Sequence, residues 1–551
     1  MAASVKRMLR LFDNHALLEI DDRSSRTAIL EYKPAPTVPS KVEASSSVHV
    51  RMVPSAEAPG GEEAGGNTVA IEAVLGIYEL LSGPFIAVVL ESEARLHGLG
   101  SGGKASAARG WDFRLVTRVA LLPLFRTGRR LSAQQQSDDD KYLSLLQNAL
   151  AEHQLYFSHT HDVTHSFQRL SQLGTRDGGH LWQRADERFF WNKAVVRPLI
   201  AGGAHAWVTP VMSAFMTLRS GLAAAGLKFS LLFVSRRSCF RQGCRFARRG
   251  ADGEGRCANF VETEQALLFD TGAVSSFVQV RGSIPCRWSS PVSLKYAPKV
   301  LVDGADPRNG DIFAKHVSSL HAEYESVLLV NLIDKKKDQG RLGLVFQTLA
   351  EAWIAKHKQS GGRWARGGGA PGSLDFIWFD FHKECAKMKW SNLSKLLERG
   401  GEALDSHGWF ASDGAGRVGQ LQRGVSRTNC MDNLDRTNVV QSAIARRAVL
   451  AMLTSHPTAV VPQQLPGGGG AGSVLELPSP HFDALEGALK GSWGDNADAI
   501  SMLYSGTGAL KTDFTRTGKR TFAGAFQDGM NSAMRCGRAG GGVPVLVVVL
   551  T

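Results

Sequence analysis

The sequence predicts a mixed α/β fold, and three observations lead to this prediction. Apolar runs of strand length, such as residues 228–235 and 326–333, alternate with stretches of helical periodicity in the second half of the chain. Further strand-like runs at 86–91 and 115–122 predict that the first part of the chain is rich in strands. The length of 551 residues allows two or three domains with large cores.

Composition divides the chain into four segments. The first carries stretches rich in proline, serine and glycine, which predict a partly disordered lead-in. Two domains of ordinary composition follow, and the last segment departs from both. The predicted boundaries are 1–68 for the lead-in, 70–204 for a first domain rich in strands, 205–535 for a second and larger domain, and 536–551 for the tail.

The net charge of +13 and the pI near 9.5 favour anionic partners, which include phospholipid surfaces, phosphorylated headgroups and nucleic acid. The basic residues form short clusters, for example at 335–337, and most of these are interpreted as solvated faces. No nucleic-acid recognition motif is found. The sequence therefore predicts an anionic membrane surface as partner, and no nucleic acid.

Cysteine usage predicts a protein of the reducing interior of the cell. The seven cysteines are odd in number and lack paired spacing, so neither a disulfide framework nor a zinc site is indicated. The first twenty residues are interrupted by charges, unlike a signal peptide. No apolar run reaches the roughly 18 to 20 residues that a spanning helix needs. We expect no metal and no cofactor.

One short motif carries the chemistry. Cys430 and Arg436 are separated by five residues, which lets a loop enclose one phosphate group with the thiolate beneath the phosphorus. Residues 418–429 before the loop predict a strand, and residues 439–450 after it predict an amphipathic helix. The positive N-terminus of that helix would favour both a thiolate and a bound phosphate.

The chain contains a second pair with the same spacing, Cys239 and Arg245. Glycines and charges follow this pair and predict a turn in place of a helix. Because a phosphate loop requires the strand, loop and helix in that order, we assign the nucleophile to Cys430.

The motif assigns a role to each of its residues. Cys430 would attack phosphorus and form a covalent intermediate. Asp432 is assigned to acid/base chemistry and Asp435 to a structural role, although both are candidates for the acid. Thr437 is predicted to cap the helix and to hydrogen-bond the departing sulfur. Positive charge and loop amides would hold the phosphoryl oxygens, from Arg436 and from Met431, Asn433 and Leu434.

Beyond this motif, the chain resembles the Sac-domain phosphoinositide phosphatases. The stretch at 427–438 is similar to the signature of that family, and further blocks agree with it in order and spacing from about residue 70 to 535. These blocks include residues 74–83, 190–193, 258–265, 280–285, 379–382 and 506–513.

The resemblance implies an N-terminal Sac subdomain at 70–204 and a catalytic domain at 205–535. It implies hydrolysis of phosphatidylinositol monophosphates, foremost the 4-phosphate, with the 3-phosphate and other isomers possible. Candidate contacts to the headgroup are Arg281, Lys295, Lys383 and Lys511. The alternative is a catalytically silent scaffold that binds phosphoinositides.

The chain departs from the family pattern at two places. Asn433 stands where many relatives have a second cysteine, which removes a disulfide partner within the loop. Relatives of the endoplasmic reticulum continue into membrane-spanning helices where this chain has residues 536–551, so we expect a truncated tail. The resemblance implies the cytosolic face of endoplasmic reticulum or Golgi membranes. Asn429 replaces the histidine of protein tyrosine phosphatases, which argues against phosphotyrosine as substrate.

Overall fold

The computed structural model describes most of the chain. The described residues are 6–21, 26–33, 47–59, 67–97, 112–125, 129–173, 179–245, 247–291, 299–359, 372–386, 389–459, 477, 482–510, 528, 530 and 531. The predicted tail at 536–551 lies outside them, as do two of the headgroup candidates, Lys295 and Lys511.

The first segment forms a five-stranded antiparallel sheet, which corrects the lead-in predicted for residues 1–68. Its core includes Leu9, Leu18 and Leu30, all fully buried. Leu17 and Ile29, on the opposite face from these leucines, are also buried, but the apolar runs of the five strands are no longer than three residues, which is too short to indicate a strand by periodicity. In sheet order the strands are β4 (Val48–Pro54), β3 (Arg26–Tyr32), β2 (His15–Ile20), β1 (Arg7–Leu11) and β5 (Asn67–Ile71).

A 13-stranded sheet runs through both predicted domains, and its first half is antiparallel. The strand-like runs at 86–91 and 115–122 lie within two of its strands. The boundary predicted between 204 and 205 separates two strands that pair directly, β9 and β10. These strands are β6 (Ala73–Glu79), β7 (Pro84–His97), β8 (Asp112–Pro123), β9 (Leu155–Phe157) and β10 (Val211–Ala224).

The second half of the sheet changes from antiparallel to parallel. β11 (Leu227–Arg237), β12 (Val261–Phe269) and β13 (Val274–Arg281) continue the antiparallel order. From β13 onward the neighbours are parallel, in the order β20 (Gly424–Asn429), β16 (Ser326–Asn331) and β17 (Leu374–Trp378). The remaining short strands are β14 (Trp288–Ser289), β15 (Leu301–Val302), β18 (Phe410–Ser412) and β19 (Val418–Gln420).

Helices cover both faces of the parallel part, which confirms the mixed α/β prediction. Side chains of β16 alternate between the two layers: Leu328 packs in one core and Leu329 in the other. One layer contains α5 (Arg308–Tyr324) and α6 (Lys337–Gln359), and the other contains α8 (Leu393–Arg399), α9 (Gly401–His407), α10 (Asp435–Thr454) and α11 (Asp483–Ser505). The shorter or more distant helices are α1 (Ala133–Glu152), α2 (Phe167–Leu173), α3 (Leu181–Arg184), α4 (Arg197–Ala201) and α7 (Phe381–Glu384).

The parallel strands end together at one edge of the sheet. Asn331 at the end of β16 stands opposite Asn429 of β20 on one side and Trp378 of β17 on the other. The loops that follow these three strands therefore meet, and ligands of open α/β sheets bind at such an edge. Within the described part of the chain, no helix combines the length and the apolar character needed to span a bilayer.

The second layer contains a histidine that should make stability depend on pH. His407 is 1% exposed, and neither ring nitrogen has a hydrogen-bond partner among the described residues. Burial lowers the pKa of His407 to about 4, whereas an unfolded histidine titrates near pH ~6.5. The contribution of the neutral ring is therefore complete above pH ~6.5 and is lost as pH falls toward 4.

The free energy of unfolding of the wild type should fall between pH 7.5 and 5.0. We expect this fall to be about 2 kcal/mol smaller in His407→Leu, which has no ring to protonate. Urea unfolding at both pH values measures this difference. His49→Leu at an exposed position is the control. An unchanged difference in His407→Leu would show that this ring does not contribute to acid sensitivity.

Candidate active site

The loop from Cys430 to Leu434 joins β20 to α10 at the shared edge of the sheet, so the predicted order of strand, loop and helix is confirmed. The predicted strand at 418–429 is in fact two strands, β19 and β20, and the helix predicted at 439–450 extends over all of α10. Cys430 is 4% exposed and lies between a fully buried strand and the N-terminus of a 20-residue helix. That position favours an anion.

The side chains of Asn331 and Arg427 hold Asn429, the residue before Cys430. The Nδ2 of Asn429 donates to Oδ1 of Asn331 at 2.8 Å, and Nη1 of Arg427 donates to Oδ1 of Asn429 at 2.8 Å. The amide of Leu332 donates to the Asn429 carbonyl at 2.8 Å. These bonds connect the ends of β16 and β20, so the start of the loop is fixed in the sheet.

Arg281 lies beneath the loop and is fully buried, which corrects its assignment as a headgroup contact. Its Nη1 donates to the Asn433 carbonyl at 3.4 Å and its Nη2 to Oδ1 of Asn438 at 3.2 Å. It forms no ion pair with any carboxylate of the described residues. Burial lowers the pKa of Arg281 to about 9, although the negative charge of a Cys430 thiolate acts in the opposite direction. Arg281 thus supplies positive charge under Cys430.

Asp432 is held by two arginines from the loop after β11. Nη2 of Arg249 donates to its Oδ1 at 2.6 Å, and Nη1 of Arg245 lies 3.7 Å from its Oδ2. Burial alone would raise the pKa of Asp432, but the charges of Arg249 and Arg245 outweigh it and hold that pKa well below the usual range. The carboxylate is therefore ionised, which argues against the acid role predicted for it.

Arg249 also binds the loop backbone, since its Nη1 donates to the Met431 carbonyl at 2.9 Å. Its guanidinium lies 5.4 Å from the centroid of the Trp288 ring and 5.9 Å from that of Tyr504. The sequence motif around Cys430 contains neither Arg249 nor Arg245. Arg245 belongs to the rejected Cys239 motif, and Arg249 stands in a basic cluster that resembled a solvated face.

Arg436 is anchored through a single nitrogen. Its Nη1 donates to the Leu332 carbonyl and to Oδ1 of Asp334, both at 3.2 Å. Its Nε and Nη2 make no hydrogen bond within the described residues, which leaves the pair of donors that binds phosphate bidentately. The side chain is 15% exposed, so the guanidinium can reach a ligand from solvent.

Asp334 has a second partner, His382, whose Nδ1 lies 2.8 Å from the same Oδ1. Partial burial raises the pKa of Asp334, but the hydrogen bond from His382 and the charge of Arg436 lower it overall. The carboxylate of Asp380 accepts hydrogen bonds from the amide of Lys335, in the loop after β16, at 3.0 Å and from the amide of Lys383, in α7, at 3.1 Å. It therefore holds α7 against that loop. The sequence motif contained neither Asp334 nor His382.

Asp435 and Thr437 belong to the first turn of α10, directly behind the loop. Oδ1 of Asp435 accepts a hydrogen bond from the Leu510 amide at 2.7 Å, a contact of the structural kind predicted for it but with a distant segment. Thr437 does not cap the helix, which corrects that prediction, because the N-cap is Leu434 and Thr437 stands in the first turn. Its hydroxyl is buried and lacks a partner among the described residues, so it can donate to a ligand or to sulfur.

The other predicted contacts differ in exposure. Asn433 and Leu434 are buried, Met431 is half-buried, and Lys383 is exposed on α7 beside His382.

Within the described residues, no group of three histidine, cysteine or carboxylate side chains could hold a metal ion. The charge around the loop is instead positive, since the four arginines 281, 249, 245 and 436 outnumber the three carboxylates of residues 432, 435 and 334. This excess suits a dianionic phosphomonoester.

Comparison with known proteins identifies the family. The family described as SacI homology domain matches residues 72–386. The chain is 36% identical over 465 residues to phosphatidylinositol-3-phosphatase SAC1-B of Danio rerio, covering 84% of this chain and 72% of that protein. An alignment that covers 84% of a 551-residue chain necessarily spans residue 430, wherever it begins.

Two further relatives come from other kingdoms. The chain is 35% identical to phosphatidylinositol-3-phosphatase SAC1 of Saccharomyces cerevisiae, covering 72% of this chain and 61% of that protein. It is 33% identical to phosphoinositide phosphatase SAC7 of Arabidopsis thaliana, covering 85% of this chain and 71% of that protein. The match therefore includes both the large sheet and the Cys430 loop, and the chain belongs to the Sac-domain phosphoinositide phosphatase family.

Proposed function

We propose that this protein is a phosphoinositide phosphatase that removes the phosphomonoester of phosphatidylinositol phosphates through a cysteinyl-phosphate intermediate. One observation carries the proposal: a buried cysteine lies between a parallel strand and a helix N-terminus, above Arg281, which has no carboxylate partner in the described part of the chain. A buried guanidinium requires a counter-charge. A thiolate or a bound phosphate supplies it.

In the first step the thiolate of Cys430 attacks phosphorus in line. The sulfur–phosphorus bond forms as the bond from phosphorus to the inositol oxygen breaks, and that oxygen must receive a proton. The phosphoryl oxygens are stabilised by Arg436, through its Nε and Nη2, and by amides of the loop, which include those of Met431, Asn433 and Leu434.

In the second step water attacks phosphorus and the sulfur leaves as thiolate, so inorganic phosphate is released. The buried hydroxyl of Thr437 is a donor for the sulfur or for a phosphoryl oxygen. Arginines and the helix N-terminus supply the positive charge that this chemistry needs, so the mechanism uses no metal and no cofactor.

The preferred substrates are the 4-phosphate and 3-phosphate lipids. The 4-phosphate follows from the family resemblance, and the relatives of Danio rerio and Saccharomyces cerevisiae are named 3-phosphatases.

Exposed lysines at 335–337 directly follow Asp334 and face solvent beside the site. Each lysine near an anionic surface adds about 1 kcal/mol of attraction. We place the enzyme on the cytosolic face of endoplasmic reticulum or Golgi membranes.

Phosphate release from a panel of phosphoinositides in mixed vesicles tests this function. We expect release from a monophosphate lipid by the wild type and none by Cys430→Ser, because serine cannot replace the thiolate at neutral pH. Cys239→Ser is the matched control, since it alters the other cysteine of the same spacing. Burial raises the pKa of Cys239 to about 12, so it provides little thiolate.

Folding of each variant is checked by its melting temperature. A folded wild type that binds the vesicles but releases no phosphate from any isomer would overturn the enzyme and favour the lipid-binding scaffold. Release that persists in Cys430→Ser would overturn the cysteinyl intermediate.

A further inference from the structure

The proposed chemistry leaves one requirement unmet, namely a donor for the proton on the inositol oxygen. An alkoxide leaving group needs general acid catalysis, which contributes about 10²- to 10⁴-fold. Asp432 is ionised between Arg249 and Arg245, and Asp435 is engaged by the Leu510 amide. Neither predicted aspartate is therefore suited to donate.

His382 stands beside the site with the geometry of an oriented imidazole. Its Nδ1 lies 2.8 Å from Oδ1 of Asp334, and that same oxygen accepts the bond from Arg436 at 3.2 Å. A carboxylate on Nδ1 fixes the tautomer and the orientation of a histidine ring and leaves Nε2 to exchange a proton. The side chain of His382 is 60% exposed, so a substrate arriving from a membrane can reach it.

The surroundings of His382 are held in place by backbone contacts. Asp380 joins α7 to the loop after β16 through the amides of Lys383 and Lys335. The charged groups on the elements around the ring are Asp334 and Lys335 of the β16 loop, Arg436 of α10, and Asp380, Lys383 and Glu384 beside or within α7. The carboxylate of Asp334 is the group in direct contact.

We propose that His382 is the general acid of the first step and the general base of the second, an assignment that rests on the proposed phosphatase function. In the first step its Nε2 proton passes to the inositol oxygen as the phosphorus–oxygen bond breaks. In the second step the neutral Nε2 takes a proton from the attacking water as the sulfur–phosphorus bond breaks. The imidazolium is then restored, and Nδ1 keeps its proton on Asp334 throughout.

The test compares two leaving groups in wild type and His382→Gln. Inositol lipid needs the proton, whereas p-nitrophenyl phosphate has a leaving group that departs as a stable phenolate. We expect His382→Gln to lower kcat about 10²-fold on the lipid and less than about fivefold on the aryl ester. The alkaline decline of the lipid rate, which follows deprotonation of His382, should also disappear.

Two further variants sharpen the result. Asp334→Asn is expected to reduce turnover of the lipid more than that of the aryl ester, because the ring of His382 loses the carboxylate that orients it. Lys395→Gln removes an exposed ion pair with Glu384 of α7 and should behave as wild type on both substrates.

Each possible result of these measurements either supports or overturns the role of His382. Equal losses of His382→Gln on both substrates, or an unchanged pH profile, would overturn the assignment of His382 while an active wild type keeps the phosphatase function. A wild type that releases no phosphate from either substrate would overturn both. Selective loss on the lipid together with the altered pH profile would establish the role.

Discussion

Arg436→Ala is expected to lower kcat about 10³-fold on phosphoinositide vesicles, because it removes the donors that stabilise charge on the phosphoryl oxygens. Arg436→Lys should recover only part of this loss. A lysine keeps the charge but cannot bond the Leu332 carbonyl and Asp334 while presenting two parallel donors to phosphate. Steady-state kinetics on vesicles measure kcat and KM separately.

Arg417→Ala is the matched control, since that arginine is 84% exposed and pairs with Asp413 at the surface. It should change kcat less than twofold. If Arg436→Ala kept more than a tenth of the wild-type kcat, the donors aimed at the phosphoryl group would have to lie elsewhere, with Arg249 or Arg245 as the next to test.

Asp432→Ala is expected to have the largest effect on stability, lowering the free energy of unfolding by about 3–5 kcal/mol. The substitution leaves Arg249, whose side chain is 3% exposed, without the carboxylate that it contacts, and it removes a carboxylate 3.7 Å from Arg245 as well. A buried charge that has lost its partner costs more than the pair contributed. Urea unfolding followed by fluorescence measures the change.

The double variant Asp432→Ala with Arg249→Met should recover part of the loss, because the apolar side chain removes the uncompensated charge. The effect also depends on pH with a definite sign. The pKa of Asp432 is lowered in the folded state, so its stabilisation is present above the unfolded pKa near ~4 and is lost as pH falls toward the folded value. A loss below 1 kcal/mol at pH 7, or one that grows in acid, would contradict this account.

The sequence was sufficient where the information is local. Cys430 and Arg436 are close in the chain, and the apolar periodicity of the helix behind them lies in one continuous stretch, so their order predicted the loop. The same holds for β11 and β16. A strand that is covered on both faces carries apolar side chains on both, so its apolar residues form a continuous run. The strands of the first sheet carry apolar runs of three residues at most, so the sequence did not reveal them.

Tertiary structure decided what surrounds the loop. Arg249 and Asp432 are 183 residues apart in the chain, and Arg436 and Asp334 are 102 apart. No local pattern connects such pairs, since they meet only because β13, β20, β16 and β17 are neighbours in the sheet and end at one edge. The burial of Arg281 likewise depends on its strand lying under the loop.

By itself, then, the sequence determined the family, the proposed nucleophile and the loop that carries it, because each is written in a short stretch or in the order of many short stretches. The pairing of parallel strands decided which carboxylate is ionised, which arginine is buried and which histidine stands beside the site. These properties depend on contacts between distant segments and on the removal of water around them, and both arise only when the sheet is assembled.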